Sequence, residues 1–397
     1  IFITKHQYIQ RLDFKLIPIT KPSLDKSDLK HIKNVLLSKI LTDGFYQGKC
    51  ESIIKNYLKS KFIAVTHSCT AALEISAILI NLKEGDEVIL PSYGFVSIAN
   101  AIVLRGAKPV FVEINSNDLN ISYDDIKKKT SKKTKAIYVI HYAGNSCEIE
   151  KISRYAKSKK IFLIEDTAHA FLAKYKNKFL GTFGDIGVFS FHETKNIVGG
   201  QAGCISVNNS KLIKRTNCIL DKGTNRKIFI KDYKKKIISS KNNKKFYSWV
   251  DLGSEYRAPE LSCALLYSQL LKVKKIQTRR KKNWYIFKNL IDKLDTQKFY
   301  VIKNNKESTS AYHILALIFE TTKLANKFKE IFQKKKIAAT FHYVPLHKSI
   351  MGKKFCNYRL PITETIYKRI VRLPLFSDMT TKEFKKITNT IKEFLND

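Results

Sequence analysis

The sequence lacks apolar runs long enough to cross a bilayer, and its cysteines show no pairing pattern. No stretch reaches the roughly 18 uninterrupted apolar residues of a membrane helix, and residues 1–15 carry no continuous apolar core ending in small residues. The seven cysteines are odd in number and contain no CxxC pair, which argues against a disulfide framework and against a zinc site. We therefore expect a soluble, unexported, cytoplasmic protein without a bound metal.

Acidic residues are also scarce. The chain has 34 Asp and Glu against 73 Lys and Arg, which gives a formal net charge of +39. Such an excess is typical of proteins that bind nucleic acid or an anionic membrane. Here, however, the basic runs lie far apart, at 127–135, 231–236 and 274–282. We interpret the charge as drift toward A/T-rich codons, with steering of anionic substrates as the alternative, and we predict no nucleic-acid partner.

The first part of the chain has the pattern of an α/β domain. With 397 residues, 44% of them hydrophobic, it can form a large domain and a smaller one. From residue 61 short apolar runs alternate with helical patterns, which indicates a sheet with crossover helices, and several runs are apolar throughout, as in strands buried on both faces. The predicted strands are 61–67, 86–92, 108–114, 134–142, 161–166, 187–192 and 203–209, with helices at 69–82, 95–106 and 148–160.

The pattern changes near residue 270. A long helical stretch at 259–294 leads to a predicted strand at 312–320, a helix at 322–335, a strand-like segment at 338–345 and a final helix at 380–395. We therefore predict a large domain, 46–270, with a mixed, mostly parallel sheet, and a smaller α+β C-terminal domain, 271–397. The N-terminal segment, 1–45, carries its own helix and is expected to pack on these domains.

Two residues that each follow an apolar strand suggest chemistry. Asp166 and Lys195 should both emerge at the carboxyl edge of the sheet, where open α/β sheets bind ligands. Pyridoxal 5'-phosphate needs such a pair: a lysine amine for a Schiff base, and an anion that keeps the pyridine nitrogen protonated. A solvated lysine and an ordinary strand-end carboxylate would produce the same pattern.

Two further segments fit a phosphorylated cofactor. Ser68, Cys69 and Thr70 lie in a strand-to-helix turn, whose free N–H groups and helix dipole suit an anion. The alternative is that Ser68 simply caps the helix. Phe95 follows another strand and could lie flat on a pyridine ring, or else be a core aromatic.

A series of motifs in a fixed order makes the sequence resemble a known family. The motifs are HSCTAALE, PSYGFVSIANA, LRGAKPVFVEI, HYAG, EDTAHA, SFHETKN, KGTNR, YSWVDLGSEYRAPEL, HYVPLH and RLPLF. Together they resemble the DegT/DnrJ/EryC1/StrS sugar aminotransferases of fold type I, from about residue 17 onward. SFHETKN and KGTNR are most similar to the dTDP-4-amino-4,6-dideoxygalactose transaminases of surface-polysaccharide pathways.

The resemblance implies roles for particular residues. Lys195 would form the Schiff base with pyridoxal phosphate and move protons, Asp166 would pair with the pyridine nitrogen, and His169 would lie near the ring hydroxyl. Ser190 and the turn at 68–70 would hold the phosphate, and Phe95 would stack on the ring. It also implies a homodimer in which the neighbouring chain completes each active site.

Three further residues are candidates for contacts with the substrate because of their residue types. Arg226 can offer a forked donor to a diphosphate, and His342 or His347 can bond sugar hydroxyls. Either histidine could instead be satisfied by backbone groups. We expect transfer of an amino group from glutamate to C4 of dTDP-4-keto-6-deoxyglucose, with an axial amine. The alternatives are amination at C3, a UDP- or GDP-linked sugar, or a weakened regulatory homologue that still binds the cofactor.

Two departures from the family pattern suggest the last alternative, whereas the presence of Lys195, Asp166, His169 and Ser190 argues for an active enzyme. The family usually has the segment G-E-G-G at residues 200–203. Here Gln201 replaces its glutamate and Ala202 replaces the glycine that follows, and Ala202 would be strained if its φ were positive. Glu255 replaces an amide that often faces the partner's cofactor phosphate. Because a carboxylate would repel that phosphate, we expect Glu255 to turn away or to pair with a lysine.

Overall fold

The fold is given by a computed structural model that describes residues 16–227, 246–294 and 296–396. The N-terminal residues 1–15 and the basic run at 231–236 lie outside the described residues. Within the described part of the chain, no helix is both long and apolar enough to cross a membrane.

Helices and strands alternate through the first part of the chain, as predicted. In chain order they are α1 (Lys26–Ser38), α2 (Phe45–Leu58), β1 (Phe62–Thr66), α3 (Cys69–Leu79), β2 (Glu87–Pro91), α4 (Ser97–Val103), β3 (Lys108–Val112), α5 (Tyr123–Lys129), β4 (Thr134–Ile140), α6 (Ile149–Lys159), β5 (Phe162–Asp166), β6 (Lys174–Tyr175), β7 (Lys178–Phe179), β8 (Ile186–Ser190), β9 (Gly203–Val207) and α7 (Ser210–Ile219).

The second part is richer in helices. Its elements are α8 (Glu260–Leu271), α9 (Val273–Asp292), β10 (Phe299–Val301), β11 (Ser308–Thr309), β12 (Leu315–Phe319), α10 (Thr322–Lys334), α11 (Pro361–Arg369), β13 (Ile370–Leu373) and α12 (Thr381–Asn396).

Seven strands form the central sheet, in the order β1-β9-β8-β5-β4-β2-β3. The neighbours from β8 to β3 are parallel, whereas β9 runs antiparallel to both β1 and β8. Its strands are almost wholly buried, as expected where helices cover both faces. The predicted mixed, mostly parallel sheet is thus confirmed, and the carboxyl ends of β4, β5 and β8 meet at one edge.

A smaller antiparallel sheet, β10-β12-β13, lies in the second part of the chain. It packs with α9, α10 and α12 in a separate core that is rich in phenylalanine. The helix α9 joins the two cores: Val273 and Ile276 pack with the large sheet, while Trp284 and Phe287 pack with the small one. Ile17 also packs in the small core, and its backbone forms a parallel bridge with Ile337.

Several local predictions differ from the structure. The helical pattern at 259–294 is two helices that separate at Lys272, and the segment 338–345 contains one isolated bridge, between Thr340 and Arg372, instead of a strand. The helix α2 was not predicted. Its first turn takes its cap from elsewhere in the chain, because the Glu260 carboxylate accepts hydrogen bonds from the N–H groups of Tyr46 and Gln47 at 2.8 and 2.9 Å.

Candidate active site

Lys195 lies in the loop after β8, at the carboxyl edge of the central sheet. Its backbone N–H donates to the His192 carbonyl at 2.9 Å. The residue as a whole is half-buried. Burial lowers the pKa of the Lys195 amine to about 8, although the negative charge of Asp166 opposes the shift. Among the described residues no hydrogen bond or ion pair engages the amine, which is therefore available to an electrophile.

Asp166 ends the neighbouring strand, β5, and is 8% exposed. One carboxylate oxygen accepts the Ala168 N–H at 2.9 Å. Burial raises the pKa of Asp166, whereas that hydrogen bond and the charge of Lys195 lower it. Lys195 and Asp166 thus interact electrostatically without forming a direct ion pair, which is the relation required if a ring is held between them.

The preceding residue, Glu165, points to the opposite face of the same strand. Its carboxylate is completely buried and accepts hydrogen bonds from His141 at 3.0 Å and from the N–H groups of Gly181, Phe183 and Gly184 at 2.6–2.8 Å. Glu165 is therefore a structural carboxylate. Because side chains alternate along a strand, only Asp166 of this adjacent pair faces the site.

Three of the predicted cofactor residues, His169, Ser190 and Lys195, line one cavity. It is lined by Ala168, His169, Phe171, Ser190, Lys195, Asn196, Ile197 and His313. Ser190, the last residue of β8, is 8% exposed. Asn196 fixes His313 in the wall: the amide oxygen of Asn196 lies 2.8 Å from His313 Nδ1, and its nitrogen donates to the Ala311 carbonyl at 2.7 Å.

His169 is poised for a polar group of a ligand. Its Nε2 lies 3.3 Å from the Tyr343 hydroxyl, whereas its Nδ1 is buried without a hydrogen-bond partner in the described part of the chain. Burial, and then the positive charges of Lys195 and Arg372, hold the pKa of His169 well below its usual range. The neutral ring is 4.7 Å from the His313 ring and 6.2 Å from the His342 ring, between centroids.

The turn at 68–70 has the geometry of a capped helix start. Ser68 caps α3 by accepting the Ala71 N–H at 3.1 Å, and the hydroxyls of Thr70 and Ser97 lie 2.8 Å apart. The N–H groups of Cys69 and Thr70 have no acceptor within the helix, since they belong to its first turn. Gly203 lies so close that an added Cβ would be 2.4 Å from the Cys69 nitrogen. Capping and anion binding are thus compatible here.

Phe95 is not a core aromatic. Its side chain is 60% exposed, and its ring centroid is 6.3 Å from that of Tyr343. Ser92 stabilises the turn that contains Phe95, since its hydroxyl lies 2.6 Å from His347 Nδ1. Phe95 therefore presents an open aromatic surface beside Tyr343, which in turn contacts His169.

The three predicted substrate residues are separated. His342 is half-buried and lies in the site, where its ring contacts the guanidinium of Arg372. His347 is only 3% exposed, and its ring nitrogens contact Ser92 and Glu364, so the structure uses it to hold a turn. Arg226 makes two hydrogen bonds to Asp221, at 2.9 and 3.1 Å, away from this cavity.

Neither departure from the family pattern disturbs the site. Ala202 is buried and does not have a positive φ, so it is not strained; Gly200, with φ of 75°, occupies the left-handed position instead. Glu255 forms an ion pair with Lys222, as expected for a carboxylate that must not face a phosphate. The changes at Gln201, Ala202 and Glu255 therefore give no structural reason for lost activity.

Sequence reasoning missed part of the site wall. His313, Tyr343, Asn196 and Arg372 come from four segments and were not assigned roles. Asn196 directly follows Lys195 in the SFHETKN motif, and Arg372 begins the RLPLF motif, so both lay within recognised segments. His313 gave no such signal, because it starts an apolar run that reads as a buried strand.

Comparisons with known proteins agree with this geometry. Residues 22–392 match the DegT/DnrJ/EryC1/StrS aminotransferase family. The chain is 30% identical to GDP-perosamine synthase of Escherichia coli O157:H7, over 96% of this chain and all of that protein. It is 28% identical to UDP-4-amino-4,6-dideoxy-N-acetyl-beta-L-altrosamine transaminase of Campylobacter jejuni, over 96% and 98% of the two chains.

A solved structure shows the same fold. The aminotransferase PseC of Helicobacter pylori, which is involved in the biosynthesis of pseudoaminic acid, has a TM-score of 0.85 and 25% identity, over 96% of this chain and 99% of that one. The aminotransferases of the matched family depend on pyridoxal phosphate. The buried amine, the nearby carboxylate and the unpartnered His169 Nδ1 fit that cofactor. The chain therefore belongs to the DegT/DnrJ/EryC1/StrS aminotransferase family and is a pyridoxal-phosphate-dependent sugar aminotransferase.

Proposed function

We propose that this aminotransferase transfers the amino group of glutamate to C4 of dTDP-4-keto-6-deoxyglucose, giving dTDP-4-amino-4,6-dideoxygalactose for surface-polysaccharide synthesis. The observation that best supports transamination is the position of the Lys195 amine. It has a pKa of about 8 and belongs to a cavity that Ser190 and His169 also line. The choice of sugar is carried by the motifs that resemble the 4-aminating branch.

Pyridoxal phosphate, when bound, supplies the electron sink that makes a proton on the donor carbon acidic. Lys195 is the group placed to move that proton, because an amine with a pKa of about 8 is partly neutral near physiological pH and can both accept and return a proton. In the first half of the reaction its Nζ takes the proton from the amino-acid carbon. In the second half it delivers a proton to C4 of the sugar, the carbon that gains the nitrogen.

Three other groups would hold the cofactor in register with Lys195. Asp166 would oppose a positive pyridine nitrogen, and its buried carboxylate would be stabilised in the charged form by that contact. His169 Nδ1 would satisfy its missing hydrogen bond on a polar substituent of the ring. The first turn of α3 would receive the phosphate, since its N–H groups and helix dipole favour an anion.

The nucleotide and the carbon aminated are the specific part of the proposal. HETKN at 192–196, KGTNR at 222–226 and HYVPLH at 342–347 resemble the branch that aminates C4 of a dTDP-linked sugar. One relative is named for a UDP-linked 4-amino-4,6-dideoxy sugar and another for a GDP-linked one, so the nucleotide has to be tested directly.

The test is turnover with glutamate and separate dTDP-, UDP- and GDP-linked 4-keto-6-deoxy sugars, followed by NMR of the product. We expect the dTDP sugar to react fastest and to carry an axial amine at C4. An amine at C3, an equatorial amine at C4, or reaction only with UDP or GDP sugars would contradict the branch assignment. A holoenzyme that binds cofactor but turns over none of the three would favour the regulatory alternative.

We further propose a homodimer with shared active sites. An apolar surface, here called the aromatic patch, comprises Ile40, Leu41, Phe45, Phe246, Trp249, Val250 and Leu252, each about half exposed or more. Its segments are tied together by the bridge between Thr224 and Trp249 and by the ion pair of Asp43 with Lys227. Such a patch on a folded chain is typical of a protein interface.

Light scattering tests the dimer. Wild type should be a dimer, Trp249→Asp should shift it toward monomer, and Tyr300→Asp, at an exposed aromatic residue of β10, should not. A monomeric wild type would contradict the shared site. We also propose a cytoplasmic location, since all seven cysteines are free thiols, as in proteins of a reducing compartment.

A further inference from the structure

We infer that His313 is a positioning residue, whose Nε2 accepts a hydrogen bond from the Lys195 amine and orients that amine for proton transfer. The inference rests on the proposed role of Lys195 in moving protons. His313 lies just before β12 and lines the same cavity as Lys195. The residue is 5% exposed, and its carbonyl oxygen accepts a hydrogen bond from Arg280 at 2.9 Å, so the backbone that carries the ring is held in place.

The neighbouring amide of Asn196 determines which ring nitrogen of His313 carries the proton. The Asn196 nitrogen donates to the Ala311 carbonyl at 2.7 Å, and a carbonyl can only accept. The amide oxygen of Asn196 is therefore the atom that faces His313 Nδ1, at 2.8 Å. Since that oxygen carries no proton, Nδ1 must donate, and the lone pair of the neutral ring lies on Nε2.

The ring of His313 is neutral. Burial, and then nearby cationic groups such as Lys195 and Arg280, hold the pKa of His313 well below its usual range. No carboxylate in the described part of the chain forms an ion pair with the ring to stabilise its protonated form. Nε2 is therefore a hydrogen-bond acceptor, and it makes no hydrogen bond with any described residue.

Two other buried histidines use both ring nitrogens within the protein. His141 contacts Glu165 with one nitrogen and Cys147 with the other, at 3.0 and 3.4 Å. His347 likewise has a protein partner at each nitrogen. His313 is as buried as these two, yet it uses only Nδ1 in this way. The difference indicates that Nε2 serves a group inside the cavity.

Lys195 supplies the matching donor. Its Nζ has no hydrogen-bond partner among the described residues, so a donor without an acceptor and an acceptor without a donor belong to one cavity. Once Nζ has taken a proton it is an ammonium with three N–H groups. A hydrogen bond to His313 Nε2 stabilises that charge and leaves the other two N–H groups in fixed directions. The imidazole does not remove the proton, because its pKa lies below that of the amine.

The donor half-reaction tests the inference without any sugar. Holoenzyme is mixed in a single turnover with glutamate, or with glutamate deuterated at the α-carbon, and conversion of the cofactor is followed by its absorbance. For His313→Leu we expect the maximal rate to fall by about 10- to 100-fold, the contribution typical of a hydrogen bond to a charged group. The glutamate concentration giving half-maximal rate should stay near that of wild type. Deuteration should slow the variant at least as much as wild type, because proton transfer is the impaired step.

Two further variants separate the acceptor from the bulk of the ring. His313→Gln, whose amide oxygen can replace the acceptor, should retain more of the rate than His313→Leu. Asn196→Leu keeps the ring but leaves Nδ1 without its partner, so it should also slow proton transfer. His31→Gln is the matched control, since the His31 ring lies against Tyr46 and Tyr267 and does not line the cavity.

Nitrogen NMR tests the tautomer independently of activity. In holoenzyme labelled with nitrogen-15 histidine, the pair of ring signals that is lost in His313→Leu should show a protonated Nδ1 and an unprotonated Nε2 at neutral pH. If His313→Leu does not fold, the same signals are identified by their loss in His313→Gln.

The inference is overturned if His313 of wild type carries its proton on Nε2, or if a folded His313→Leu variant converts glutamate at the wild-type rate. It is also overturned if that variant is slow without an isotope effect, or if it only weakens the binding of cofactor or glutamate, since His313 would then be a structural residue of the wall. A wild type that converts with glutamate but aminates no dTDP sugar would refute the proposed acceptor and leave the role of His313 intact.

Discussion

Lys195 should react with pyridoxal phosphate at neutral pH far faster than an ordinary lysine. Burial lowers the pKa of its amine from 10.5 to about 8. At pH 7 about 9% of such an amine is neutral, against about 0.03% of an amine with the unperturbed pKa of about 10.5. Since the neutral amine is the nucleophile, its reactive fraction is about 300-fold larger than in a solvent-exposed lysine.

The assay is the rate at which apoenzyme captures added cofactor, followed by the visible absorbance of the lysine-bound form from pH 6 to pH 10. The logarithm of the rate should rise by about one per pH unit and level off near pH 8. Asp166→Asn removes a charge that raises the pKa of Lys195, so its inflection should move to lower pH. Arg372→Gln removes a charge that lowers it, so its inflection should move to higher pH.

Arg279→Gln should leave the profile unchanged, because its partner Asp378 lies at the surface. An inflection near 10.5 in wild type would refute the reasoning, since it would show that the Lys195 amine is exposed to water. Shifts of the wrong sign in the two charge variants would show that Asp166 and Arg372 do not act on Lys195 through their charges.

Three further outcomes are expected. Lys195→Ala should abolish turnover while keeping the wild-type circular dichroism spectrum, and a variant that retained more than a few per cent of the rate would refute the assignment of Lys195. Asp166→Asn should lower the rate of turnover severely, because a neutral amide cannot keep the pyridine nitrogen protonated; normal turnover would make Asp166 a structural residue. Gly203→Ala should lower the unfolding free energy by about 1–3 kcal/mol and weaken cofactor binding, since the new Cβ would be 2.4 Å from the Cys69 nitrogen. Denaturant unfolding and cofactor titration would check both effects. An unperturbed variant would show that β9 and the turn at 68–70 leave room for a methyl group.

The sequence was sufficient for the parts of the fold that local pattern controls. Strands buried on both faces are apolar throughout, so the positions of β1 to β5, β8 and β9 along the chain could be predicted from the sequence. Lys195 and Asp166 could be placed at one edge because parallel strands end on the same side of a sheet. Motif order then supplied the family, which residue spacing alone left open.

Helix boundaries were less predictable where the cap is distant in sequence. The start of α2 depends on Glu260, more than 200 residues away, which accepts the N–H groups of Tyr46 and Gln47. The break between α8 and α9 at Lys272 likewise carries no proline or glycine that would mark it. Local pattern cannot indicate a cap or a break that tertiary contacts impose.

The tertiary structure alone decided which polar residues reach the cofactor site. From the sequence, His342 and His347 were equivalent candidates, yet packing brings the first beside His169 of the cavity wall and holds the second between Ser92 and Glu364. Arg372 and His313 reach the site only because the small sheet packs against the edge of the large one. The sequence by itself determined the strands and the place of Lys195 after one of them, because these depend on neighbours in the chain, whereas the burial and the charges that lower the pKa of Lys195 depend on contacts between distant segments.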